Sequence, residues 1–385
     1  MPNPLAVHYS RFRVAERLLL TGHSHQAWPD VGFEAQQRAW LDAADLIDDK
    51  WESAAARAAD VRAGFARLLG DAPQNIALGH NTHELVTRLL SALPLRSRPR
   101  LVTTDGEFHS IRRLLDRLAE EGLDVAKVAA RPVDTLAERL LASVNDHTAC
   151  VLVSSVLFST AEIVPGLDRV QAACDRHGAA LLIDAYHHLN VVPFDLSALR
   201  GAFITGGGYK YCQLGEGNAF LRVPDGCRLR PVLTGWFAEF QERDRTAGPT
   251  VDYGDGAAAF AGATYDPTSH YRAAAVFAFH RDEGLTPEEL RRISRRQVRL
   301  LDTTFEALDL APAVASVEAV PDDRRAGFLA IRVAAAAETV RTLRQRGVLT
   351  DSRGNLVRLG PAPYVGDDQL RDAVAILGET LRSRP

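Results

Sequence analysis

Residues 181–196, LLIDAYHHLNVVPFDL, and residues 202–212, AFITGGGYKYC, decide how this chain is read. The first opens on a short apolar run that stops at Asp184. The second is another apolar run, closed by three glycines immediately before Tyr209 and Lys210. Short continuous apolar runs bounded by turn residues are strands buried on both faces, as in a parallel sheet. The glycines let the backbone approach a neighbour closely, and they place the following lysine on a tight turn. Lysine is rare in a chain that uses arginine heavily, so each lysine is informative.

Outward from this centre the pattern alternates. Before it come a strand at Ile76–Leu78, a helix near His83–Leu93, a strand at Leu101–Thr103 and a helix near Ile111–Glu121. Val125–Val128, a helix near Thr135–Val144, Cys150–Ser154 and a helix near Leu167–His177 lead into Ala180–Ile183. Strands at Ala202–Thr205 and Ala219–Val223 close the series. Repeated β–α alternation with short connections predicts an α/β fold, a mainly parallel sheet with helices on both faces. Upstream, Glu34–Trp51 and Ala54–Leu69 read as amphipathic helices; Val61, Phe65, Leu68 and Leu69 share a face and Gly70 follows as a stop. From Thr234 to about Arg272 periodicity fades, which predicts a long functional or subunit-contact loop. Helices near Pro287–Ala307, Ala337–Arg346 and Asp367–Leu381, with strands near Phe328–Val333 and Leu356–Leu359, form a smaller α+β domain. The predicted organisation is an N-terminal segment (1–50) joining the small domain and the site entrance, a large domain (51–280) and a C-terminal domain (281–385).

Composition excludes several classes. Of 385 residues, 45 are Lys or Arg and 49 are Asp or Glu, a net charge of −4, so the basic surplus that phosphate-backbone binding needs is absent and no nucleic acid partner is expected. Hydrophobic residues at 46% and charged residues at 24% describe an ordinary globular chain. No apolar run approaches membrane-spanning length, and the N-terminus lacks an uninterrupted apolar stretch, so neither secretion nor membrane insertion is expected. Cys150, Cys174, Cys212 and Cys227 form no CxxC pair, which argues against a disulfide framework or metal site and fits the cytoplasm.

An acid at a strand end and a lysine on a glycine turn are what a pyridoxal phosphate (PLP) enzyme requires: an amine for the cofactor aldehyde and a carboxylate for its ring nitrogen. Read singly, the same residues fit a helix cap and a surface charge. The combination goes further, because DAYHH and GGGYKYCQLGEGNAFLRV resemble the signatures of kynureninase, in the aminotransferase class V group of fold-type I PLP-dependent enzymes. GHSHQAWP, NTHELVTRLLSAL, GEFHS, GWF, YDP and NLVRLGPAPYV follow in the family's order. The resemblance implies a kynureninase-type hydrolase that cleaves the Cβ–Cγ bond of an aryl-ketone amino acid, with PLP as cofactor. It makes Lys210 the Schiff-base residue and proton shuttle, Asp184 the partner of the pyridine nitrogen with His187 beside it, and Phe108 the stacking ring. Tyr209 becomes a phosphate contact and general acid–base, a role requiring a lowered phenol pKa. Asn81 and Thr82 lie at the phosphate-binding helix N-terminus. Arg358 grips the substrate α-carboxylate; His23, His25 and Asp266 are substrate-side; and Trp236, with the Thr264–Asp266 region, reaches across a homodimer that shares its active sites.

The chain departs from the family at Ile111, where an acid is usual, at Asp266, where a neutral residue is usual, and at Leu157–Thr160, which replace an Asn-aromatic-Arg-Thr segment. Those positions surround cofactor and substrate. Another class V reaction on a different amino acid, such as transamination, β-elimination or desulfuration, stays open, since Lys210, Asp184 and Arg358 serve transamination equally well.

Overall fold

The computed structural model describes residues 3–239 and 249–383. In chain order the strands are β1 (Leu18–Leu19), β2 (Ile76–Gly79), β3 (Arg100–Thr104), β4 (Asp124–Val128), β5 (Thr148–Ser154), β6 (Ala180–Asp184), β7 (Phe203–Gly207), β8 (Ala219–Arg222), β9 (Ala315–Val317), β10 (Leu329–Val333), β11 (Val348–Leu349), β12 (Asp351–Arg353) and β13 (Leu356–Leu359). The helices are α1 (Val31–Leu46), α2 (Lys50–Leu69), α3 (Thr82–Ala92), α4 (His109–Glu120), α5 (Leu136–Ser143), α6 (Leu167–His177), α7 (Thr268–Asp282), α8 (Pro287–Glu306), α9 (Ala336–Gln345) and α10 (Asp367–Arg382).

A seven-stranded sheet in the order β2-β8-β7-β6-β5-β3-β4 forms the larger body. Its strands from β7 to β4 are parallel, and β8 runs antiparallel to both neighbours. All seven residues of the interior strand β5 are buried, as its unbroken TACVLVS run requires. One apolar cluster under the sheet gathers Val61, Phe65 and Leu69 of α2 with α5, α6 and α7. The opposite cluster gathers Leu85 and Leu89 of α3 with Ile111 and Leu115 of α4. Strand order reverses between β3 and β5, and an open α/β sheet binds ligands beyond its strand ends at such a switch point.

The second body is an antiparallel sheet, β12-β13-β10-β9, with a separate core formed with α8, α9 and α10. The N-terminal segment is tied into it: β1 pairs with β11, and Gly22 N–H donates to Gly360 O at 2.7 Å. A Cβ at Gly360 would overlap the His23 ring, so this closeness requires glycine.

Three details differ from the sequence reading. The helix expected over 34–51 is two helices, because Ile47 turns to φ 51° and the chain restarts at Lys50. The stretch read as a loop to residue 272 already contains the start of α7, whose buried residues surround nearly its whole circumference and so erase helical periodicity; residues 240–248 of that stretch lie outside the described residues. The short strands β9 and β12 gave no signal, being three residues each. No described helix is long and apolar enough to cross a membrane.

Candidate active site

The parallel strands end around Lys210. Asp184 is the last residue of β6, Gly207 ends β7, and the Lys210 turn follows directly. At Gly207 a Cβ would overlap the Tyr186 hydroxyl, so glycine is what lets the turn close over that ring. Lys210 is 5% exposed. Its Nζ lies 2.8 Å from His187 Nε2, 4.4 Å from the centroid of the Tyr186 ring and 5.3 Å from that of Phe108. Burial brings the amine down to about 7, against the opposing pull of Asp184, so near neutrality much of it is an uncharged nucleophile. Burial also holds His187 far below its ordinary value, so the ring beside Nζ is neutral, and its buried Nδ1 has no partner. Lys210 is therefore neither a surface charge nor a member of a hydrogen-bonded ion pair.

Asp184 is buried. Its Oδ1 accepts from Tyr186 N–H at 2.9 Å, and burial pushes its carboxyl up. Behind it Glu107, 2% exposed, accepts from Thr104 Oγ1 at 2.7 Å and Ser154 Oγ at 2.6 Å. Burial pushes Glu107 up to about 7. These bonds fasten the loop carrying Phe108 to the ends of β3 and β5. Phe108, Phe158 and His109 form an aromatic wall, with centroids 5.3–5.7 Å apart. Ile111 sits in the apolar core of α4, where an ionised acid would be buried without a partner.

Arg358, 2% exposed, projects from β13 opposite Asp351 of β12. Its Nε donates to Asp351 Oδ1 at 2.8 Å, its Nη2 to Asp351 Oδ2, and its Nη1 to Phe158 O at 2.5 Å. A guanidinium has five N–H groups, so one remains on each terminal nitrogen for a substrate carboxylate. His23 is fully buried, with Nε2 2.8 Å from Asp351 Oδ1 and its ring against Phe328; burial lowers it to about 4. Its contact is with the acid that orients Arg358.

The other expected residues occupy varied places. Tyr209 is half-buried, between Tyr186 and His25, the latter stacked on it at 4.8 Å. Burial raises the Tyr209 phenol, with Asp184 and Glu216 adding to the effect, so the expected lowering does not occur; the group is a proton donor near neutrality. Asn81 caps α3 by accepting from Glu84 N–H at 2.9 Å, which puts Thr82 on the first turn. Asp266, just ahead of α7, accepts from Thr268 N–H at 2.9 Å and Thr268 Oγ1 at 2.6 Å and lies near His80 and His270, on the α3 side of the site. Trp236, 47% exposed, donates from Nε1 to Thr264 at 3.2 Å. Residues that sequence reasoning missed are Tyr186 and Glu107, both inside quoted motifs, and Asp351 and Arg353, on a strand too short to read. Among the described residues no His, Cys, Asp or Glu group is arranged to hold a metal ion.

Residues 290–377 match the kynureninase C-terminal domain family. A kynureninase of Bacillus thuringiensis subsp. konkukian is 26% identical over 336 residues, covering 82% of this chain and 76% of the relative. An uncharacterized aminotransferase, YcbU, of Bacillus subtilis is 24% identical over 328 residues, 84% of each chain. Among solved structures, a C-DES mutant with glycine covalently linked to its PLP cofactor superposes with a TM-score of 0.83 at 18% identity, over 98% of this chain and 99% of that one. The fold is thus that of C-DES, and the sequence is kynureninase-like.

Proposed function

We propose that this protein is a PLP-dependent hydrolase of the kynureninase type, releasing alanine and an aromatic acid from L-kynurenine or its 3-hydroxy derivative. One observation carries the reading: a buried, partly neutral Lys210 flanked by an aromatic wall, with Asp184 at the adjacent strand end and Arg358 facing it from the second body. These residues fit the cofactor. Lys210 offers a buried amine, the buried His187 Nδ1 has no partner, Asp184 offers a carboxylate to a ring nitrogen, Phe108 offers a face for stacking, and the α3 N-terminus at Asn81 and Thr82 offers N–H groups to a phosphate. Bound there, PLP supplies an aldehyde for amines and an electron-withdrawing ring that stabilises negative charge on the substrate.

The side chains then have definite work. Arg358 orients the substrate by its carboxylate through the two free N–H groups. Lys210 Nζ takes the α-proton and returns it, with His187 keeping the amine aimed. The Tyr209 hydroxyl, protonated near neutrality, donates to the oxygen of the carbonyl under attack.

A class V aminotransferase is the alternative, supported by the likeness to YcbU and by a lysine, acid and arginine that serve transamination equally. Persulfide chemistry is disfavoured: burial pushes the Cys174 thiol up to about 12 and raises Cys150 and Cys212 further, leaving no ready thiolate. In this reading a homodimer shares its sites, with Val232, Leu233 and Trp236 exposed where a second copy would cover them, and the cytoplasm suits four free cysteines.

The experiment is the absorption spectrum of the cofactor-loaded protein between 300 and 500 nm, wild type against Lys210→Ala, with L-kynurenine added and anthranilate followed. A band that requires Lys210, shifts with kynurenine and yields anthranilate supports the reading. A band with no anthranilate, but amino transfer to pyruvate or 2-oxoglutarate, moves the assignment to the alternative.

A further inference from the structure

Arg353 of the small sheet stands near Arg358, whereas Arg332 on the same face is paired with Glu318. Arg353 lies two residues beyond Asp351 on β12, so the two side chains leave the same face of the strand, the face that also carries Arg358 across the β12–β13 ladder. The partnering of the two arginines differs. Arg358 is 2% exposed and engages both Asp351 oxygens, one of which also meets His23. Arg353 is 37% exposed; its nearest Asp351 oxygen is 3.6 Å away, beyond hydrogen-bond length, and its Nη1 donates only to the adjacent Ser352 O at 2.8 Å. Its Nε is buried and has no partner. On the strand face it shares with Asp351 and Arg358, the guanidinium stands next to the acid that fixes Arg358, and its positive charge favours the neutral amine of Lys210.

Charge balance says what it waits for. On this side of Lys210 stand two arginines, the single carboxylate of Asp351 and the neutral rings of His23 and His187, leaving one unmatched positive charge. One substrate carboxylate neutralises it. A second, from an acidic side chain, would have no cation left and would face Asp351.

We propose that Arg353 is a second substrate-binding residue, which shares with Arg358 the α-carboxylate of the amino-acid substrate and limits this side of the site to one carboxylate. Arg358, fixed by Asp351 and the Phe158 carbonyl, sets the direction of approach. Arg353, half-exposed and loosely held, closes on the second oxygen. The inference rests on the amino-acid reading above, and the test separates the two.

The probes are L-alanine and L-alaninamide, identical but for the charged carboxylate, titrated against the cofactor absorption of the loaded protein in wild type, Arg353→Gln, Arg353→Lys and Arg358→Gln. Wild type should bind alanine more tightly than the amide. Arg353→Gln should reduce that preference about tenfold, the scale of one charge-assisted hydrogen bond, and Arg353→Lys should restore part of it. Independently of any substrate, the pH midpoint for cofactor uptake by Lys210 should rise in Arg353→Gln, because a neighbouring positive charge has gone. An Arg353→Gln protein with the full wild-type preference, lost only in Arg358→Gln, overturns the role of Arg353. A wild type whose cofactor band ignores both probes overturns the amino-acid reading itself, and this inference with it.

Discussion

Removing the Asp351 carboxylate should cost more stability than its partly exposed position on a three-residue strand suggests. Arg358 is 2% exposed, and two of its three hydrogen bonds go to Asp351; fully buried His23 loses its Nε2 partner at the same stroke. Asp351→Ala leaves the guanidinium with the Phe158 carbonyl alone. Breaking a buried pair from one side costs about 3–5 kcal/mol, and because Asp351 is 23% exposed water can partly replace it, so the lower end, about 3 kcal/mol, is expected. With an unfolding entropy of about 2.1 cal/mol/K per residue over 385 residues, that lowers Tm by about 4 °C. The assay is thermal melting by far-UV circular dichroism on the cofactor-free protein, in a cycle with Arg358→Met and the double variant. Once the arginine is gone the acid has little left to stabilise, so the double variant should melt well above the sum of the singles. The pH dependence follows the same pair. Burial raises the Asp351 carboxyl, but hydrogen bonds from His23 and Arg358 win and hold it far below the usual carboxylate range. A depressed folded pKa means this stabilisation is complete above about pH 4 and fades only in stronger acid, so the wild-type advantage over Asp351→Ala should be flat from pH 5 to 8. Additive singles, or an Asp351→Ala melt within 1 °C of wild type, would refute the reasoning.

Three further outcomes are expected. Because Lys210 is held at about 7, the rate at which cofactor-free protein takes up PLP, followed by absorbance, should rise with pH and level off above 7, each unit below costing about tenfold in neutral amine; a midpoint near 10 would contradict the burial argument. Glu107 is pushed up to about 7, so the folded state binds its proton more tightly than the unfolded chain. The stability advantage of wild type over Glu107→Gln should then shrink by roughly 3 kcal/mol between pH 4.5 and 7, the buried histidines contributing equally to both proteins, as paired urea unfolding would report. Gly207→Ala forces a methyl into the Tyr186 hydroxyl and should destabilise by about 1–3 kcal/mol while displacing Tyr186 from Lys210, seen as a lower Tm and an altered cofactor spectrum.

The large sheet was legible because its strands are buried on both faces and so read as unbroken apolar runs; β5 and β6 are the clearest cases. The Lys210 turn was legible because three consecutive glycines are rarely tolerated without a close contact, and the Tyr186 hydroxyl is that contact at Gly207. What could not be read are pairings across the chain. His23 looks like a loop histidine until Asp351, 328 residues later, is brought to its ring. Tyr209 was expected to carry a lowered phenol, but burial and two nearby carboxylates act the other way, a balance set by tertiary neighbours rather than by motif. α7 was blurred into a loop because it is buried nearly all round, and a helix without a polar face has no period to detect.

The pairing of β1 with β11, and of Gly22 with Gly360, imposes an order on the birth of the molecule. A ribosome finishes the Lys210 turn and the whole seven-stranded sheet by residue 222, yet Leu18, Gly22 and His23 must wait more than a hundred residues longer for partners between 348 and 360. Contacts of such sequence separation form late and slowly. A chain stopped before residue 348 has neither Arg358 nor the acid that aims it, so on the proposed reading a nascent or truncated copy lacks the group that grips the substrate.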